Sequence, residues 1–337
     1  MRTHRTAMWA LALTLASAGC GAPTPRPVVA AAPPPLDLPA TITIGAGSGV
    51  ETRITRLALD DYVAGVVAAE WSFSGMDPRL VARVAEVQAI VARTYAIASL
   101  GRHGRDRFDL CDTTHCQLYR PFPDRFAHRM ALDAGLFASR RVVLTFERQP
   151  VLALYHADCG GHTNSASEVW GGADRPYLAG VPDPECARRA DASWTYRASR
   201  AALAAALARD PRTSVGRWLE RVEVVDRGPN GLARLVALAG ERSPLVRGEE
   251  LRAVLVQSFG PGSIRSPRYT TRIEGDLTVF EGRGRGHGVG LCQKGAAARL
   301  QGGATARDVL AHYFPGARPV SLSASRATSA AGSDAFQ

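Results

Sequence analysis

The chain has 337 residues and a formal net charge of +10, from 41 Lys and Arg against 31 Asp and Glu. With both terminal stretches set aside, about 280 residues remain, enough to bury a sizeable core as one large domain or two close-packed lobes. The charge comes with no nucleic-acid signature, because the Arg-Gly alternation at residues 282–286 is short, lacks aromatics and leads into an apolar pattern.

The first residues, Met1-Arg2-Thr3-His4-Arg5, precede an apolar stretch from Ala7 to Ala16 and then Ser17-Ala18-Gly19-Cys20, the layout of a bacterial export signal. The apolar part is too short to span a bilayer. Small residues before Cys20 point to a lipoprotein cleavage site (residues 1–19 removed, Cys20 lipidated), although Ser17 stands where such sites usually carry Leu. The expected location is therefore the cell envelope, anchored to a membrane through Cys20. Residues 20–38, rich in Pro and Ala, read as an extended tether, and residues 319–337, rich in Ser and Ala, as a disordered tail. For such an exported chain the anionic partners are wall polymer, lipid headgroups or lipopolysaccharide; a compositional habit of the genome is the plain alternative.

Between tether and tail, residues 39–318 mix strand and helix patterns without a βαβ rhythm, which indicates an α+β fold. Ala40 to Leu59 alternates as two strands around a turn at Gly45 to Gly49. A helix starting at Asp60 or Asp61 carries Tyr62, Val66 and Glu70 on one stripe. A second has Asp77 as N-cap, Pro78 at its first position and Gly101 beyond its end, with Val84, Gln88, Val91 and Tyr95 on one face. Arg141 to Phe146 and Val151 to His156 read as a hairpin, and Arg221 to Asp226 with Ala233 to Ala239 as another. Ser199 caps an alanine-rich helix, Gly248 to Phe259 is a short helix, and Thr270 to Phe280 alternates as a strand. That strand feeds Gly282-Arg283-Gly284-Arg285-Gly286-His287-Gly288-Val289-Gly290, a run fit for a bent, closely approached backbone. Helices near Gln293 to Leu300 and Thr305 to His312 close the domain.

Several residues could carry chemistry. Glu70 ends an apolar helix, where desolvation raises a carboxyl pKa and suits it to donate a proton; a Glu reaching solvent is the bland reading. Neither Asp112, Asp158 nor Glu168 is paired with it by the sequence. After Cys20 come five cysteines, Cys111, Cys116, Cys159, Cys186 and Cys292, an odd number for an oxidising compartment. His103, Cys111, His115 and Cys116 could hold a tetrahedral zinc. The competing readings are a Cys111 to Cys116 disulfide, or a Cys159 to Cys186 bridge with the others reduced. Cys159 as a nucleophile lacks an evident orienting Asn or Asp. His287 alone reads as a structural hydrogen-bonder, and Trp170, Trp194 and Tyr177 read as core, with sugar stacking as the alternative.

Together these blocks resemble the stage II sporulation protein D (SpoIID/LytB) family. The resemblance rests on Leu59 to Glu70, Gln88 to Ala96, Asp112 to Tyr119, Tyr155-His156, Cys159-Gly160-Gly161-His162-Thr163, Glu168-Val169-Trp170, Pro176-Tyr177-Leu178, the glycine run with Gln293, and His312 to Gly316. It implies one large SpoIID-like catalytic domain around a cleft and a peptidoglycan lytic transglycosylase, which cleaves between N-acetylmuramic acid and N-acetylglucosamine and leaves a 1,6-anhydro sugar. The family's catalytic glutamate falls on Glu70. The missing second carboxylate is then explained, because the sugar's own 6-hydroxyl is the nucleophile and one carboxyl serves as acid and base. The chemistry implied needs no cofactor. Some members bind zinc through a cluster resembling Cys111 with His115-Cys116, His103 being the loosest match. On this reading Gln88, Tyr95, Gln117 and His287 line the cleft with Gln293, and the partner is the glycan strand. The family also contains non-catalytic enhancers of a cell-wall amidase. The chain departs from the family pattern at Glu86-Val87, where Lys-Ala is usual, at Arg285, usually aromatic, and at Cys292, usually Ser.

Overall fold

The computed structural model describes residues 38–47, 51–123, 127–188, 192–228 and 230–322. The expected export signal with Cys20 and the expected tether up to residue 37 lie outside the described residues, as does the expected tail from residue 323. What is described is an α+β fold built from small sheets and helices. Among the described residues no helix is long and apolar enough to cross a membrane.

Strands β1 (Thr41–Ala46) and β2 (Arg53–Ala58) pair antiparallel, and the chain passes directly into α1 (Leu59–Glu70), whose first turn carries Asp60 and Asp61 where the helix dipole favours negative charge. Helix α2 (Pro78–Ala98) begins as its sequence dictates: the Asp77 side chain accepts hydrogen bonds from the amides of Arg79 and Leu80. Its middle is buried all round, because α1, the helix Arg129–Ala138 and the strand Val142–Phe146 cover its flanks. β3 (Leu110–Cys111) adds parallel to β1, and α3 (Arg129–Ala138) lies along α2 with Gly135 so close to the Ala82 carbonyl that no Cβ fits between them.

β4 (Val142–Phe146) and β5 (Gln149–Pro150) form a hairpin over Glu147 and Arg148, both at positive φ (50° and 66°), the backbone of a two-residue primed turn. The expected second strand from Val151 to His156 is not continuous. The chain leaves β4 after Val151, and only β6 (Tyr155–His156) is extended, paired parallel with β13 (Leu291–Cys292) across 136 residues of sequence, as Leu291 faces Tyr155 and Cys292 faces His156. A non-local pairing has replaced the local one.

After β6 come the short helices α4 (Ala166–Trp170) and α5 (Pro184–Ala187). A second core then forms around Leu203, Leu207, Val236, Leu255, Tyr269 and Phe280. Its elements are β7 (Ser193–Ser199), α6 (Arg200–Leu207, capped by Ser199), β8 (Leu219–Arg227), β9 (Ala233–Gly240), β10 (Leu245–Arg247), α7 (Gly248–Phe259), β11 (Tyr269–Glu274) and β12 (Leu277–Arg283). The alternating stretch from Thr270 is thus a hairpin turning at Gly275, φ +60°, and not a single strand. The chain returns to the first core through β13, α8 (Gln293–Gln301), α9 (Ala306–Tyr313) and β14 (Arg318–Ser321). β14 pairs with β4, so the folded part continues past residue 318, where the sequence places the start of the tail.

Candidate active site around Glu70

Glu70 closes α1, half-buried. Its Oε1 accepts two hydrogen bonds, from the Leu118 amide at 2.8 Å and from the Tyr155 hydroxyl at 2.9 Å. Among the described residues no donor engages Oε2. The carboxyl is pushed above its ordinary range by burial, and the two hydrogen bonds only partly oppose the shift. A raised pKa with one oxygen held as acceptor leaves Oε2 to carry and deliver a proton.

Three distant segments meet at this carboxyl. The Leu118 amide arrives on the loop after Cys116, which crosses α1 at Gly65. There a Cβ would lie 2.5 Å from the Arg120 carbonyl oxygen, so only glycine admits the crossing. Tyr155 arrives on β6. Gln293 begins α8 and donates through Nε2 to the Glu70 carbonyl at 3.4 Å.

Gln88, Tyr95 and Gln117, expected in the cleft wall, lie instead in the core, at 0%, 3% and 1% exposure. Gln88 accepts from Trp71 Nε1 at 2.9 Å, next in sequence to Glu70, and its own Nε2 is a buried donor with no partner. Gln117 accepts from the Tyr62 hydroxyl at 3.1 Å and fixes the loop that delivers Leu118. Gln88 and Gln117 thus hold Trp71 and the loop carrying Leu118, which flank the carboxylate.

His287 does not contact Glu70 directly. Its Nδ1 accepts the Val289 amide at 3.0 Å, which makes the ring neutral with its proton on Nε2. Burial, His156 and Arg252 hold its pKa well below the ordinary value, and a hydrogen bond to the Tyr155 backbone opposes them. The ring packs 5.1 Å from Trp170, which is 43% exposed and so not the core residue its sequence indicated. The backbone bends around His287 because Gly284, Gly286, Gly288 and Gly290 all take positive φ, between 72° and 93°. At Gly288 a Cβ would overlap the Asn164 amide, whose nitrogen donates to the His287 carbonyl at 3.2 Å. Arg285 points outward, exposed.

The donor atoms of His103, Cys111, His115 and Cys116 all lie within 4.8 Å of one another. Cys116 Sγ is 3.4 Å from His103 Nε2 and 3.7 Å from His115 Nδ1, and Cys111 Sγ is 3.6 Å from His115 Nδ1. A tetrahedral zinc with its usual bond lengths sets such ligand edges at about 3.5–3.8 Å, so the four donors fit that ion. All five described cysteines are free thiols here.

Two surface concavities are separate from this carboxyl, one of about 250 Å³ beside Asp61, Tyr119, Phe122 and Arg129, the other of about 380 Å³ beside Arg227, Arg268 and Glu281.

Residues 48–174, which carry Glu70, Leu118 and Tyr155, match the SpoIID family model, described as a stage II sporulation protein. This part of the chain is similar to the SpoIID family. A stage II sporulation protein D of Bacillus amyloliquefaciens is 24% identical over 283 residues, which cover 78% of this chain and 74% of the relative. An uncharacterized protein of Brachyspira hyodysenteriae is 27% identical over 270 residues, 78% of this chain and 67% of its own. The amidase enhancer of Bacillus subtilis is 23% identical over 301 residues, 77% of this chain and 39% of the enhancer. The SpoIID match stops before the glycine run, so His287 and Gln293 join the family's segment through the fold, by way of Tyr155 and Glu70.

Sequence reasoning missed Tyr155 as a partner of Glu70, and also the Leu118 amide. Tyr155 lies within a family block, the signal that could have found it. A backbone donor has no sequence signal.

Proposed function

We propose that this protein, similar to the SpoIID family over residues 48–174, is a lytic transglycosylase of peptidoglycan glycan strands, with Glu70 as its single acid and base. The observation that carries the reading is the asymmetric Glu70 carboxyl, with Oε1 held by Tyr155 and Leu118, Oε2 unengaged by described residues, and the pKa raised by burial. Protonated Oε2 donates to the glycosidic oxygen between the N-acetylmuramic and N-acetylglucosamine units. The carboxylate so formed, stabilised by the two Oε1 donors, accepts the proton of the sugar's 6-hydroxyl as that oxygen closes on C1. No second carboxylate is needed, unlike hydrolysis by paired acids. Trp170, exposed beside His287, offers a ring face for a sugar.

The zinc that His103, Cys111, His115 and Cys116 fit would supply a structural crosslink, holding the loop that presents the Leu118 amide; the proton chemistry stays with Glu70. We also propose export and lipidation at Cys20, which would keep the enzyme at the envelope membrane. The name of the amidase-enhancer relative supports a second reading, a non-catalytic glycan-binding partner of a cell-wall amidase.

Purified protein incubated with intact and with peptide-stripped glycan strands, followed by mass spectrometry, separates the two. Anhydro-muramyl ends formed by the wild type and lost in Glu70→Gln support the enzyme. Their absence with both substrates, alongside stimulation of an added amidase, would establish the second reading instead.

A further inference from the structure

A second cluster of metal-binding donors lies where β6 and β13 meet α5 and α8. Cys159 follows β6, Asp183 is the N-cap of α5, Cys186 lies within that helix, and Cys292 ends β13 and caps α8. One donor atom from each falls within 4.8 Å of every other. All four residues are sealed from solvent, Asp183, Cys186 and Cys292 at 0% exposure and Cys159 at 5%.

Their surroundings suit anionic sulfur. The Gly161 amide donates to Cys159 Sγ at 3.4 Å, and the amides of Cys159 and Gly295 donate to Cys292 Sγ at 3.3 and 3.4 Å. Such amide donors are the usual outer contacts of metal-bound thiolates. Asp183 is oriented in the same way: Tyr313 donates its hydroxyl to Oδ2 at 2.6 Å, and Arg299 lies 3.7 Å from Oδ1. Cys159 Sγ is 3.3 Å from the same Oδ2, and Cys186 Sγ is 3.1 Å from Asp158 Oδ1. Helix α8 passes the cluster at Gly295, where any Cβ would overlap Asp183 Oδ2 and the Tyr313 hydroxyl. Room has been kept for a carboxylate that apolar packing alone would not place there, and the one Arg299 guanidinium, 3.7 Å from Oδ1, would not balance that carboxylate together with three thiolates.

We propose that Cys159, Asp183, Cys186 and Cys292 form a second zinc site, distinct from the His103 to Cys116 cluster, in which a tetrahedral S₃O donor set is closed to water and substrate. Three thiolates and one carboxylate favour zinc over magnesium or calcium, which take oxygen ligands. A closed four-ligand shell makes the role structural. The ion would tie the end of β6, α5 and the β13–α8 junction together, and so fix the two segments that bring Tyr155 and Gln293 to Glu70. A Cys159 to Cys186 disulfide is the competing use of these sulfurs, and it would leave Cys292 and Asp183 without a function in the cluster.

The test is metal content, independent of activity. Full-length protein purified without chelator is assayed by elemental analysis as wild type, Cys292→Ser and Cys111→Ser, with circular dichroism checking the fold of each. The proposal expects Cys292→Ser to lose one zinc equivalent relative to wild type, whereas Cys111→Ser keeps the equivalent held at this site. Cobalt(II) exchanged into wild type should show sulfur-to-cobalt charge-transfer bands that weaken in folded Cys292→Ser and, more mildly, in Asp183→Asn. If Cys292→Ser will not fold, the Asp183→Asn cobalt spectrum alone decides. Equal zinc in wild type and folded Cys292→Ser, or a Cys159–Cys186 linked peptide from non-reduced wild type, would overturn the site.

Discussion

Tyr155 donates its hydroxyl to Glu70 Oε1 at 2.9 Å across 85 residues of sequence, and the same residue pairs through its backbone with Leu291 in β13. The strand pairing therefore sets how firmly the carboxyl is held. It also gives the pH profile a handle. This hydrogen bond stabilises the ionised form and lowers a pKa that burial raises. Tyr155→Phe removes it, so the Glu70 pKa rises further and the protonated acid persists to higher pH. The basic limb of kcat/KM should move up by roughly one pH unit, as expected for a hydrogen bond to a charged group worth about 1.5 kcal/mol. The rate of anhydro-end formation at several pH values reads it directly; an unmoved limb would mean that Tyr155 does not govern the acid.

Stability should respond to Glu70 with a definite sign. Its folded pKa lies above the unfolded value, so the folded state binds the proton more tightly. The stabilisation is complete below the unfolded pKa and is lost as pH rises through the folded one. Glu70→Gln keeps an acceptor for Tyr155 and Leu118 but cannot ionise. It should therefore be more stable than wild type at pH 8, on the order of 1 kcal/mol, as when an active-site charge is neutralised, and the gain should shrink toward pH 4. Thermal melts of both proteins across that range check it.

The parts of this arrangement that show in the sequence are those with local causes. Asp77 with Pro78 starts α2, Ser199 caps α6, and the helical stripe puts Glu70 on the apolar face of α1. Alternating glycines signal a bent backbone, and all four around His287 take positive φ. What stays hidden depends on long-range pairing. Val151 to His156 looks like a hairpin strand because alternation cannot tell which partner a strand will find, and β13 outcompetes β4 for Tyr155 and His156. Gln88 turns inward as its helical face predicts, but spacing alone cannot separate a cleft wall from the layer beneath it. The meeting of Cys159, Cys186 and Cys292 is invisible for the same reason, since their spacings match no short metal motif.

Backbone strain in the glycine run should have a measurable cost. Gly290 has φ +72°, and a Cβ there would overlap the Leu154 carbonyl, a backbone atom that cannot swing aside. Gly303 has φ +101°, and a Cβ added there would meet open space, with nothing within 4 Å. Gly303→Ala should cost only the left-handed penalty, about 1–2 kcal/mol. Gly290→Ala carries the penalty plus the collision and should cost about 3–4 kcal/mol. Urea unfolding of the two variants gives the difference; equal midpoints would show that β6 and β13 can separate at this point without loss.

His156 gives the fold an acid sensitivity. Its Nδ1 donates to the Val289 carbonyl at 3.1 Å, and its Nε2 is buried with no partner, so a second proton would be carried uncompensated in the core. Burial, opposed by that hydrogen bond and by Cys186 and Asp183, lowers its pKa from 6.5 to about 4. The unfolded chain then binds the proton more readily, so the stabilisation is present above pH 6.5 and is lost as pH falls toward 4. The span corresponds to about 3 kcal/mol at most. His287, also held neutral and 5.7 Å from His156, loses stability in the same direction on acidification. His156→Gln should flatten the stability curve between pH 7 and pH 4.5 without abolishing it, and adding His287→Gln should flatten it further. Denaturant unfolding at those two pH values measures the slope, and an unchanged slope in His156→Gln would place the acid response elsewhere in the molecule.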